Sequence, residues 1–114
     1  MGKYQLIVLT DAVAGREDEY NDWYTKQHLG DVLAVRGITS AQRFKLRALT
    51  MGAFRNKYLA IYEIDADDPE KVVNDLMVRW GTEAMVMSDA INIADADVAL
   101  FEECSQKVAA QAGR

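Results

Sequence analysis

Two runs of the chain, KYQLIVLT from Lys3 to Thr10 and KYLAIYEID from Lys57 to Asp65, carry β-branched, aliphatic and aromatic residues on both faces that a strand presents. In the first, Tyr4, Leu6 and Val8 point one way, and Gln5, Ile7 and Leu9 the other. A strand that is apolar on both sides needs cover on both sides. That limits the chain to layered arrangements with these two strands near the middle of a sheet.

The other elements fall around them. REDEYNDWYTKQHL reads as a helix, with Glu17, Asp18 and Glu19 in the first turn, where acids complement the helix dipole. Gly30 is expected to interrupt it, and DVLAVR to add a short further turn with Asp31 as its N-cap and Gly37 as its stop. ITSAQRFKLR, Ile38 to Arg47, alternates as a strand. Ile38, Ser40, Gln42 and Phe44 take one face, and Thr39, Ala41, Arg43 and Lys45 take the wetter one. A second helix follows Asp68, an N-cap, with Pro69 at the first helical position and Gly81 at the stop. TEAMVMSDAINIADA reads as a short helix plus loop, and DVALFEEC as a last strand. The order β-α-β-β-α-β is that of an α+β, ferredoxin-like domain: a four-stranded antiparallel sheet with both helices on one face. Its other face is then an open apolar patch, which a second copy of the sheet would cover. The 114 residues make one domain, residues 1–114, with 105–114 expected as a flexible tail.

Charge excludes some partners. The formal net charge is -5, and no basic stripe is present of the kind that phosphate neutralisation requires, so neither nucleic acid nor an anionic membrane surface is expected. No run approaches the roughly 18 apolar residues of a membrane span. The single cysteine, Cys104, fits a reducing cytoplasm, and Glu102 and Glu103 beside it disfavour its thiolate. One histidine, one cysteine and scattered carboxylates form no spaced metal-ligand set, so no metal is expected. No glycine-rich phosphate loop occurs, which argues against a nucleotide cofactor.

That histidine, His28, lies in NDWYTKQHLGDVLAVRG. Tyr20, Tyr24, His28 and Asp31 follow at steps of four, four and three, which places them on one helical face. A neutral imidazole can take a proton near neutral pH, a carboxylate can orient it, and a tyrosine can donate to a developing enolate. The alternative is that His28 and Asp31 cap a helix end. Tyr20, Tyr62, Trp80 and Arg43 are candidate substrate contacts, although Trp80 also suits the core and Arg43 a solvated strand face. Met51, Phe54, Met85 and Met87 suit an adaptable pocket or, preferably, a dimer contact.

The segment EYNDWYTKQHLGDVLAVRGITSAQRF, Glu19 to Phe44, resembles the dimeric α/β barrel superfamily, and in particular the EthD-like and related small proteins of catabolic gene clusters. Their first helix reads as an aromatic pair, then His, Leu, Pro, Asp, then AVPG. Trp23, Tyr24, His28, Leu29, Asp31, Ala34, Val35 and Gly37 match, while Gly30 and Arg36 stand at the two prolines. The resemblance implies a homodimer with a pocket between sheet and helices in each subunit. It also implies cofactor-independent chemistry on a hydrophobic, aromatic carbonyl or hydroxyl compound. The expected reaction is of lyase or isomerase type, with His28 as general acid or base and Asp31 and Tyr24 assisting. A cofactor-free monooxygenase, a non-catalytic ligand-binding or accessory dimer, and a haem protein with His28 as axial ligand are the alternatives that the superfamily offers.

Overall fold

The computed structural model describes residues 2–112. Strand β1 (Gly2–Thr10) leads into a helical run made of α1 (Glu17–Trp23), a π turn (Tyr24–His28) and α2 (Leu29–Leu33). Strands β2 (Ile38–Lys45) and β3 (Tyr58–Ala66), helix α3 (Pro69–Arg79), a 3₁₀ turn (Ile93–Asp95) and β4 (Asp97–Glu102) complete the order. The sheet runs β2-β3-β1-β4, every pair antiparallel, so the two strands with two apolar faces are the central ones. Leu6 sits opposite Tyr62 on one side and Leu100 on the other.

One sheet face carries Tyr58, Ala60, Tyr62 and Ile64 of β3. Tyr20 and Tyr24 of the helical run, with Val72 and Leu76 of α3, close over it into a single core. Asp68 caps α3 as expected, accepting from the Lys71 backbone N–H at 3.1 Å. Gly37 turns the chain from α2 into β2 at φ 101°, and a Cβ there would meet Val72 at 2.8 Å, so the turn needs glycine for both conformation and space.

The structure corrects three expectations. Gly30 does not interrupt the helix: it lies inside α2 with negative φ, and the backbone N–H of Ala34 bonds to its carbonyl at 3.2 Å. Asp31 is therefore a helix residue and not an N-cap. A bulge between Ile38 and Ser40 moves Ile38 onto the same face as Ala41 and Arg43, opposite Tyr62 and Ala60, so the strand face read as wetter is the one the helices cover. The segment Thr82–Ala96, expected as a short helix plus loop, is mostly loop: it holds turns, an isolated bridge from Ile91 to Ala12, and only the three-residue 3₁₀ turn as helix.

The far face of the sheet bears Ile7, Leu9, Phe44, Leu59, Ile61 and Phe101, as their pairings require. Phe44 and Phe101 are 41% and 56% exposed there. Residues 103–112 form no helix or strand and are exposed; the last two positions of the expected tail lie outside the described residues.

Candidate functional site

Between the covered sheet face, the helical run and α3 lies a cavity with about 40 Å³ of water-accessible space, room for roughly three waters. The segment Thr82–Ala96 forms its remaining wall through Met85, Met87, Ile91, Ile93 and Ala96. Four polar side chains reach an otherwise apolar lining: Thr10, Tyr24, His28 and Tyr62. Among the described residues, no lysine, arginine or carboxylate lines it.

The π turn sets the geometry of His28. In an α-helix, residues five apart differ by about 140° around the axis and cannot touch. Across this wider turn Trp23 and His28 stack, with ring centroids 4.6 Å apart and planes 26° from parallel. Tyr24 meets the imidazole edge-on at 4.8 Å and 88°. Thr25, Lys26 and Gln27 face water while Tyr24 and His28 are buried. The Trp23 indole N–H donates to the Val86 carbonyl at 3.1 Å, which fixes the stack from outside.

His28 Nδ1 is buried without a hydrogen-bond partner among the described residues. Burial pushes the imidazole pKa down to about 4; Asp31 opposes this from a distance, and Arg43 adds to it. The ring is therefore neutral at neutral pH. The expected orienting bond from Asp31 is not formed, because the rings of Trp23 and Tyr24 hold the imidazole in its place.

The Tyr24 and Tyr62 hydroxyls share a hydrogen bond of 3.0 Å. One hydroxyl proton is used between them, and the other is free to donate elsewhere. Burial drives the Tyr24 pKa up to about 12 and raises that of Tyr62 as well, so both stay protonated.

Of the residues singled out from sequence, Tyr24, His28, Tyr62 and Trp80 border the cavity. Tyr20, Arg43 and Asp31 do not. Tyr20 is wholly buried behind the wall and bonds Thr10 Oγ1 at 2.5 Å. Arg43 lies over the rings of Tyr24 (4.5 Å), Tyr20 and Tyr58 (both 5.2 Å), and donates to Asn21 Oδ1 at 2.8 Å and Thr25 Oγ1 at 2.9 Å. It buttresses the helix against the sheet rather than standing on a solvated face. Met85 is 1% exposed, and both it and Met87 line the cavity, where a dimer contact was preferred. Met51 and Phe54 lie on the exposed loop between β2 and β3. Sequence reasoning passed over Thr10 and the contact of Trp23 with His28. The five-residue step from Trp23 to His28 was the available signal, and it is meaningful only if a π turn is foreseen. No cluster of three potential metal ligands occurs among the described residues.

No family model matches the chain, and no curated protein matches it. Solved structures do. An EthD-like protein from Ralstonia eutropha JMP134 aligns with TM-score 0.59 and 14% identity over 94% of this chain and 96% of its own. The heme-degrader MhuD from Mycobacterium tuberculosis aligns with TM-score 0.59 and 14% identity over 92% and 99%. A dimeric ferredoxin-like protein from Thermobifida fusca aligns with TM-score 0.51 and 14% identity over 90% and 92%. At such identity the likeness is one of fold, and it is the ferredoxin-like, EthD-like fold that the sequence resembles.

Proposed function

We infer that the protein binds a small, uncharged, ring-bearing compound in this cavity. It would act on the compound's carbonyl or hydroxyl group by cofactor-independent proton chemistry of lyase or isomerase type. The observation that carries the reading is a buried, neutral histidine with an unpartnered ring nitrogen, set in an apolar lining beside two protonated tyrosines. Buried polar atoms are normally paired, and an orphaned one at a cavity is a functional candidate. A bare acceptor costs less when sealed than a bare N–H, so the imidazole proton is best placed on Nε2, with Nδ1 holding the lone pair. His28 then meets a ligand oxygen as a neutral donor through Nε2. The free hydroxyl proton of the Tyr24–Tyr62 pair supplies a second donor to an oxygen that gains charge. Met77, Met85, Met87 and Trp80 give the polarizable surface that suits an aromatic ring. A second copy would close the open sheet face, where Ile7, Leu9, Leu59 and Ile61 lie between the exposed Phe44 and Phe101.

The fold neighbour MhuD is described with two hemes in its active site. The residues here do not fit that group. Among the described residues, no cationic side chain lines the cavity to meet propionates.

The test is a panel of neutral phenols and aryl ketones in D₂O, followed through the resonances of the only histidine and through deuterium uptake by the ligand. Ligands that move the His28 signals and exchange carbon-bound protons, with exchange lost in His28→Gln, support the reading. Ligands that move the signals without exchange leave a binding protein. A panel that leaves His28 untouched removes the cavity as a site.

A further inference from the structure

We propose that the strap Thr82–Asn92 is the gate of the cavity and that the Trp23 indole is its latch, so that shutting the cavity and fixing His28 are one event. This rests on the cavity's being the ligand site. A ring-bearing compound exceeds the space of about 40 Å³, so some wall must move to admit it. Two walls are rigid: the sheet is paired along β1, β3 and β4, and the helices carry their own backbone bonds. The strap is the third wall, and it belongs to neither.

Its attachments sit at identifiable points. Near its end, Val13 N–H donates to the Ala90 carbonyl at 2.7 Å, and Asn92 N–H to the Asp11 carbonyl at 2.9 Å. The exposed Arg16 guanidinium meets Asp89 at 2.6 Å. At its start, Gly81 turns the chain at φ 81°, and its N–H donates to the Met85 carbonyl at 2.9 Å. In the middle, the strap places Met85 and Met87 against the cavity, while the carbonyl of Val86 between them receives the Trp23 indole N–H. The other side of that indole is stacked on His28. Lifting the strap removes the bond that holds Trp23 and thereby loosens the ring that holds the imidazole. The strap has no helix or strand of its own, its buried anchors are Met85, Ala90 and Ile91, and lids of this kind both admit ligand and complete a site.

Ala12 and Ile91 form an isolated antiparallel bridge whose flanking bonds make them a non-hydrogen-bonded pair. Such pairs stand about 4.5 Å apart at Cα, within disulfide range. The double variant Ala12→Cys/Ile91→Cys, in a Cys104→Ser background, therefore bolts the strap when oxidised and frees it when reduced, with unchanged side-chain composition. The probe is the neutral fluorophore N-phenyl-1-naphthylamine, read by stopped flow. Association is expected to be on the order of ten-fold slower in the oxidised form than in the reduced form. Trp23→Phe keeps a ring on His28 but cuts the bond to Val86, and is expected to speed association while shifting the His28 resonances. Equal rates in oxidised and reduced protein overturn the gate, and an unchanged rate in Trp23→Phe overturns the latch. If the wild-type protein does not take up the probe at all, the failure lies with the reading of the cavity as a ligand site.

Discussion

An imidazole enclosed by Trp23 and Tyr24 cannot gain a proton without losing the solvation that its cation needs. The folded pKa of His28 is near 4, below the 6.5 of an unfolded chain. Between those values the unfolded state binds the extra proton, so acidification favours unfolding. The stability associated with a neutral His28 is present above pH 6.5 and is lost as the pH falls toward 4. A shift of that size corresponds to roughly 3 kcal/mol. Denaturant midpoints of wild type and His28→Gln, measured from pH 7 to pH 4.5, should converge as the wild type loses its advantage; parallel curves would mean that the imidazole titrates normally. At this scale the sequence was partly legible. The periodicity of Tyr20, Tyr24 and His28 correctly pointed inward, because a helix face can be counted. The partner of His28 could not be counted. Asp31 is the nearest acid in the chain, but the imidazole is held by rings, and a stack across five residues leaves no mark in an α-helical pattern. Arg43 was misplaced for a related reason. Its charge suggested water, whereas three tyrosine rings, Asn21 and Thr25 satisfy it under the helix.

The helical run shows how a local signal can mislead and then be overridden. Glycine lowers helix propensity, yet Gly30 is held in the run because Tyr24, Val32 and Val35 on either side of it are buried in the core. Space around it is open, so Gly30→Ala should raise stability by about 0.5–1 kcal/mol in urea unfolding. A loss in that experiment would show that the chain does break there. Gly37→Ala should do the opposite and cost more than about 1 kcal/mol, since it combines a positive φ with a collision against Val72. The elements with strong two-fold or capped patterns, β1, β3 and α3, were legible to within a residue or two at their ends. The face assignment of β2 was not, because a single bulged residue reverses the facing of one end of a strand relative to the other. The strap was least legible of all: its apolar residues are spaced by the shape of a cavity rather than by any helical or strand period.

The molecule as a whole is looser than its length requires. Its radius of gyration is 15.5 Å, against about 13 Å for a compact chain of this size. The excess comes with the exposed loop between β2 and β3, which carries Leu46, Leu49, Met51 and Phe54, and with the exposed residues after β4. A second copy on the open sheet face would gather such surface, and Phe101→Glu should then shift sedimentation toward a single chain without disturbing the far-UV spectrum. A wild-type protein that sediments as one chain at micromolar concentration would remove the dimer. The element order made the sheet and its open face legible before any coordinates, because two-sided strands demand two covers; what covers the second face is not encoded in periodicity. The π turn, finally, bears on ancestry. It amounts to one extra residue accommodated in a helix, at a place where Thr25, Lys26 and Gln27 all face outward. Removing any one of these three would leave the flanking turns in register and give an ordinary helix, with Trp23 and His28 four apart and still neighbours on one face. The extra residue thus preserves the facing of the pair and does not create it, and relatives with and without the insertion should carry the two rings five and four residues apart.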